Sequence, residues 1–538
     1  MQPRRSAGKP VDPPSVAHAS STGPGGSLVS PALDGSIPGM NLSRIVERWA
    51  GHRPQHVAVH FEGEDISYTA LWRRVEAATL RLASLGIHKG DRVAYLGYNH
   101  PELLAMLFAC ARLGAILVPL NFRLAAPEHA EILAHADPAV LVVDPDFQEH
   151  AATAAISVPL IRLVALKGGR SGWFAWEGPS PAGFAPKLPG ADPDPVLIVY
   201  TSGTTGKPKG AVHTQAGLLW NIVNATLCQD LTSRDHVLTV LPMFHVGGLC
   251  IQTLPALHAG ATVTIHPRFD ASAFLRDVAA RRPTLTLLVP ATLKAVCAHP
   301  DWERTDLSCL REVNTGSSTV PDSLFAPFHA RGIPVGQVYG ATETGPVSIY
   351  LRAEDAIRKA GSAGKAAVHA EIRLVDADGR DVAPGAVGEI LVRAPNLMQG
   401  YWKDPGNPAF RDGWFRTGDL ARADDEGYYW VVGRTKDMII SGGENVYPAE
   451  LENVLADCSA VAEAAVVGVP DPKWGEAVVA AIVKKPGATL DEAAVLSLFD
   501  GRLARFKHPR RVVFVDSLPK SALGKVQKVE LRKLVGVG

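Results

Sequence analysis

Between positions 91 and 144 the apolar and polar residues fall into two alternating patterns. DRVAYLGY (91–98), AILVPL (115–120) and AVLVVD (139–144) are short apolar runs bounded by turn residues, whereas the stretches that open at Pro101 and at Pro127 carry helical spacing. Runs of this length separated by amphipathic helices predict parallel βαβ units, with strands covered on both faces. The alternation resumes at VLIVY (196–200), TVTIH (262–266) and TLTLLV (284–289), and LREVN (310–314) also reads as a strand. Several α/β layers therefore share the first 430 or so residues. From 385 to 433 Gly, Trp and Tyr punctuate shorter apolar segments, which predicts a small β-rich subdomain.

After Gly433 a separate alternation begins: strand IIS, helix PAELENVLAD, strands EAAVVGV and AVVAAIV, helix LDEAAVLSLFDGRL (490–503) and strand RVVFV. A stretch of about 100 residues can bury a modest core of its own. The predicted organisation is thus an extension at 1–39, a large domain at 40–433 and a smaller domain at 434–538. Residues 1–39 are rich in Pro, Gly, Ser and Ala and lack a periodic apolar pattern, so disorder is expected there, with Met40 an equally good translation start.

Composition narrows the function classes. Lys+Arg and Asp+Glu both number 54, so no global field draws the chain to nucleic acid or anionic lipid. The longest apolar run, Leu103 to Ala111, is about half of what crosses a bilayer, and no integral membrane contact is expected. The six cysteines show no C-x-x-C spacing, as reduced core thiols do, which predicts a cytoplasmic location.

The decapeptide TSGTTGKPKG (201–210) directly follows the apolar run VLIVY, so a loop of glycines, hydroxyls and lysines leaves the carboxyl end of a buried strand, where ligands collect in open α/β sheets. Gly203, Gly206 and Gly210 allow close backbone approach; Thr201, Ser202, Thr204 and Thr205 offer donors to phosphate oxygens; Lys207 and Lys209 add charge. It is not a Walker loop, because Gly203 and Gly206 are too close and Pro208 stands where Ser or Thr belongs. The decapeptide resembles the phosphate-binding signature of the adenylate-forming superfamily, which includes acyl-CoA synthetases, the adenylation domains of peptide synthetases and beetle luciferases. Five further motifs follow in that family's order, and the resemblance covers roughly residues 40 to 530.

What the resemblance implies is specific. The fold would be α/β: a large N-terminal domain of two layered α/β subdomains plus a small β-rich one, then a mobile α+β C-terminal domain hinged near 434–437. In PMFHVGG (242–248), Phe244 and His245 would line the carboxylate pocket, the imidazole hydrogen-bonding or charge-pairing with the acid. In YGATETG (339–345), Tyr339 and Gly340 would flank adenine, Thr342 would meet phosphate, and Glu343, with Thr204, would hold Mg²⁺. Gly316, Ser317 and Ser318 of TGSS would form the opposite wall of the adenine slot. Asp419 of GWFRTGD would accept from the ribose hydroxyls, with Arg434 of GRTKD beside it, and Lys525 of PKSALGKVQK would be the catalytic lysine.

The implied reaction joins a small carboxylic acid, fatty or aryl, to coenzyme A at the expense of ATP. Acyl-AMP forms first, and rotation about Lys436 then exchanges Lys525 for a glycine-rich loop carrying Gly442, Gly443 and Glu444. Trp474 and Lys507, the latter in a basic cluster with Arg505, His508, Arg510 and Arg511, would meet CoA. The acid pocket is expected near Asn224, 245–248, Ser317 and 344–347. The expected assembly is a monomer or homodimer. The alternative is a stand-alone amino-acid or aryl-acid adenylating enzyme that loads a carrier protein, but amino-acid adenylators place Asp where His245 stands. No luciferin site is identifiable, and a non-enzymatic nucleotide-binding protein is disfavoured by the intact motifs.

Overall fold

The computed structural model describes residues 41–178, 186–202, 208–316, 320, 322–404, 406, 409–441, 444–520 and 524–536. The extension at 1–39 lies outside them.

Two large sheets carry the first domain. In the nine-stranded sheet, Val335–Tyr339, Glu312–Gly316, Leu285–Leu288, His236–Thr239, Thr262–Ile265 and Val57–Phe61 run parallel, with antiparallel strands closing both edges. In the eight-stranded sheet, Pro195–Ser202, Ile116–Leu120, Arg92–Leu96, Val140–Val143, Arg162–Ala165 and Phe174–Ala175 are parallel. The helix Pro101–Leu113 buries 11 of its 13 residues, because it lies in the one hydrophobic cluster that draws on both sheets, joining Val59 and Val263 to Val93 and Val196. Its start is set by His100, whose Nδ1 accepts from the Glu102 N–H, and its end by Gly114 at φ 69°, a left-handed position that favours glycine. The apolar run that was too short to cross a membrane is therefore an inter-sheet helix. No helix among the described residues is long and apolar enough to cross a membrane.

The predicted strands recur within a residue or two of their expected limits. The phosphate-loop strand departs from the βαβ expectation: beyond the loop the chain returns as an antiparallel strand, Pro208–Thr214, with Thr201 opposite Lys209 and Ser202 opposite Pro208. The loop thus closes a hairpin, and both its ends are held by one ladder.

The β-rich subdomain begins earlier than composition indicated. Its five antiparallel strands start at Glu371–Val375, a mostly half-buried edge in which Glu371 pairs with Arg393 across the sheet and Arg373 with Asp381. Gly400–Tyr401, within the same stretch, leaves it to pair with Pro208–Thr214. The last domain has a five-stranded sheet in which Val461–Asp471 and Gly475–Lys484 form a long hairpin. Its predicted helix at 490–503 is shorter, Glu492–Ser497; the chain turns instead through Gly501 at φ 71°.

Candidate functional site

Strand ends from three sheets and one loop of the last domain build the site. Asp419, on Trp414–Ala423, lies opposite Arg434, the last residue of Tyr429–Arg434, and the Arg434 Nε donates to Asp419 Oδ1 at 2.8 Å. The Tyr339 hydroxyl, at the carboxyl end of Val335–Tyr339, donates to the other oxygen, Oδ2, at 2.8 Å. A carboxylate offers about four acceptor positions, so two remain for further donors. Asp419 is itself buried, which makes this fixed, charge-assisted triad a rigid platform.

Beyond Tyr339 the chain turns tightly. A Cβ on Gly340 would stand 1.6 Å from the Pro346 carbonyl oxygen, and one on Gly316 would stand 2.4 Å from that of Val338, so both positions admit only glycine without rearrangement. The turn Thr342–Thr344 follows, with Thr342 buried and the Glu343 side chain half-buried. Asn396 locks this turn from behind, its Nδ2 donating to the Thr344 carbonyl at 2.7 Å. The Tyr401 hydroxyl donates to Glu343 Oε1 at 2.7 Å.

His245 opens a helical run. Its Nδ1 accepts from the Gly247 N–H at 3.0 Å, which leaves the ring proton on Nε2. Burial, helped by the charge of Lys525, holds its pKa down at about 4. The imidazole is therefore neutral near pH 7 in this structure, which favours the hydrogen-bonding role expected for it over the charge-pairing one. Phe244 beside it is buried, its ring edge-on to Phe122 at 5.3 Å. Asn99 clamps the loop, donating to the Leu241 and His266 carbonyls and accepting from the Met243 N–H.

Lys525 reaches this site from the last domain. Its pKa is lowered, first by lost hydration and then by the charge of Arg434, while Asp419 and Glu343 oppose the shift. Those three groups and His245 therefore lie within electrostatic reach of the ammonium. Lys294 of the first domain also donates to the Ala462 carbonyl of the last at 3.3 Å.

Other predicted residues fall as follows. Thr201 Oγ1 sits 3.5 Å from the Lys209 carbonyl. Gly203, Thr204, Thr205, Gly206, Lys207, Ser317, Ser318, Gly442 and Gly443 lie outside the described residues, as does the Ser202 side chain. Glu444 opens the short strand Glu444–Val446, paired with Ile439–Ser441. Trp474 is covered by the Arg510 guanidinium, 4.1 Å from its ring centroid. Lys507 is held by Glu450 at 2.6 Å and so is already partnered. Asn224, expected at the acid pocket, is fully buried and bonded to Asn396 and the His369 N–H, which makes it part of the frame. Sequence reasoning missed Tyr401, Asn396 and Asn99; no local pattern marks any of them.

The buried histidines set an acid limit on the fold. His100 is held near 3, and His129, His213, His236 and His245 near 4, in each case chiefly by burial. Each binds a proton near 6.5 when unfolded and resists it when folded, so unfolding takes up protons between those values and stability falls as pH drops through that window. Glu312, held up at about 7 by burial, and Asp144, also raised by burial, act in the opposite sense, but they are two groups against these five. The melting temperature is expected to decline steadily from pH 6.5 to pH 4. A flat profile measured by calorimetry across that range contradicts the neutral assignments.

Residues 46–402 match the AMP-binding enzyme family and residues 450–525 match the AMP-binding enzyme C-terminal domain. The chain is 51% identical over 501 residues to an indoleacetate–CoA ligase of Aromatoleum aromaticum, covering 92% of this chain and 98% of that one. It is 43% identical to a feruloyl-CoA synthase of an Amycolatopsis species, covering 91% and 98%. Among solved structures, it superposes on the o-succinylbenzoate CoA synthetase of Bacillus subtilis in complex with its acyl-adenylate intermediate, with a TM-score of 0.80, 30% identity and coverage of 91% and 97%.

Proposed function

Because this chain belongs to the AMP-binding enzymes, we propose that the groups gathered around Asp419 and Lys525 carry out the adenylating half of an acid–CoA ligase reaction. The overall activity is ATP-dependent: a carboxylic acid is activated as acyl-AMP with release of pyrophosphate, and the acyl group then passes to coenzyme A. The observation that carries the site assignment is the Tyr339–Asp419–Arg434 triad, with Lys525 of the last domain in electrostatic reach of Asp419, Arg434, Glu343 and His245.

Each residue has a physical task. Asp419, held by Tyr339 and Arg434, accepts from the ribose hydroxyls, and the Tyr339 ring offers adenine a face across from Gly316. Glu343 and Thr204 carry hard oxygens of the kind that would hold Mg²⁺ among nucleotide phosphates, where the ion would neutralise phosphate charge. His245 donates from Nε2 to the acid without quenching its nucleophilic oxygen. As that oxygen attacks the α-phosphorus and pyrophosphate departs, negative charge grows on oxygens that Lys525 is placed to meet. Rotation about Lys436 then removes Lys525 and brings the hairpin at Glu444 to the adenylate, where a pantetheine thiol can reach the acyl carbon.

The acid is an aromatic one, on the reading supported by relatives named for indoleacetate and ferulate. A buried phenyl ring and a neutral imidazole at the pocket suit an apolar aromatic body. CoA-dependent AMP release, measured across arylacetic, hydroxycinnamic, benzoic and C8 to C16 fatty acids, should give its highest kcat/KM with an arylacetic or hydroxycinnamic acid. Preference for the fatty acids overturns the substrate class; no AMP with any acid overturns the activity.

A further inference from the structure

Tyr401 lies 58 residues from Glu343 in sequence, yet its hydroxyl donates to Glu343 Oε1 at 2.7 Å. Oε2 of Glu343 has no hydrogen-bond partner among the described residues, so one carboxylate oxygen is fixed and the other left open. The opposite side of Tyr401 meets the phosphate-loop hairpin. The Lys209 Nζ lies 5.0 Å from its ring centroid, within cation–π range.

The backbone around Tyr401 makes the same connection. Tyr401 pairs with Ala211 and Gly400 with Val212, while the Gln399 and Trp402 N–H groups donate to the Val212 and Gly210 carbonyls at 2.8 and 2.7 Å. At the near end, the Met398 N–H donates to the Glu343 carbonyl at 2.9 Å. Five consecutive residues, 398–402, thus span from the backbone of Glu343 to the strand that leaves the phosphate loop. A ring on a short arm of two rotatable bonds, held by a ladder at its base, is well suited to set the angle of a carboxylate.

We propose that Tyr401 is a positioning residue: it orients Glu343 so that the free oxygen faces a divalent cation, and it couples that orientation to the phosphate-loop hairpin through Lys209. This rests on the reading of Glu343 as the metal-binding carboxylate. Residues that orient metal ligands typically change metal affinity by about 10- to 100-fold when altered. Tyr401→Phe removes only the hydroxyl; the ring, its contact with Lys209 and the backbone ladder remain.

The test is Mn²⁺ binding to the full-length protein in the presence of a non-hydrolysable ATP analogue, read by electron paramagnetic resonance of free Mn²⁺. Tyr401→Phe is expected to weaken Mn²⁺ binding by about tenfold, while affinity for the metal-free analogue stays within about twofold of wild type. In a Glu343→Gln background the same substitution should have no further effect. Wild-type Mn²⁺ binding by Tyr401→Phe, with Glu343→Gln defective, overturns the positioning role and leaves the metal reading intact. Wild-type binding by Glu343→Gln overturns the metal reading itself.

Discussion

Replacing Lys525 by alanine is expected to slow acyl-AMP formation by about 10²- to 10³-fold while thioester formation from preformed acyl-AMP stays close to wild type. The asymmetry follows from charge. Pyrophosphate departure builds negative charge that a preplaced ammonium stabilises, whereas thiol attack on the adenylate requires that the lysine be elsewhere. Lys525 lies within electrostatic reach of Arg434, Asp419, Glu343 and His245 in this structure, an arrangement that suits the first step. Acid-dependent pyrophosphate exchange and CoA consumption from synthetic acyl-AMP separate the halves. Equal loss in both assays contradicts the assignment. The lowered pKa adds a sign: the charged form is required, so adenylation should fail as pH rises through a value below that of an ordinary lysine, and Lys525→Arg should move that limb upward.

Lys436→Pro is expected to do the reverse, preserving adenylation and reducing thioester formation on the order of 10²-fold. Lys436 is exposed in the turn Thr435–Asp437. On one side Arg434 is fastened to the first domain by Asp419; on the other, Asp437 faces Arg532 of the terminal helix at 3.7 Å. Only Thr435 and Lys436 stand between these anchors, so they must absorb the backbone change of a rotation. Proline would fix φ at 436 near −65° and restrict Thr435 as well. A short turn tolerates that φ, so the adenylating arrangement survives and the swing does not. Unchanged thioester yield, with adenylation measured in parallel, removes the hinge argument.

The nucleotide site was legible in sequence to the extent that its parts are local. Asp419 and Arg434 each sit in a short motif, and both were expected near ribose; that they are cross-strand neighbours tied to Tyr339 was not readable, because pairing register depends on which strands meet. Asn224 illustrates the reverse failure. A polar residue one helix from the pocket motif looked like a lining group, but its helix rotation directs the amide to Asn396. The edge strand Glu371–Val375 was missed because Glu371 and Arg373 interrupt its apolar residues, and only the packing of Ile372 and Leu374 against Ile390, Val392 and Ala421 makes it a strand of this sheet.

By itself, the amino-acid sequence determined the order of strands and helices and the motifs that mark nucleotide chemistry. These are encoded in spacing along a covalent chain, where burial period and motif composition act over a few residues. Tertiary structure alone decided that His245 is neutral, that Tyr401 grips Glu343 across 58 residues and that Thr435 and Lys436 are bracketed by anchors in two domains. Desolvation, hydrogen-bond partners and mechanical constraint depend on which distant segments share a volume, and that is settled only when the sheets pack.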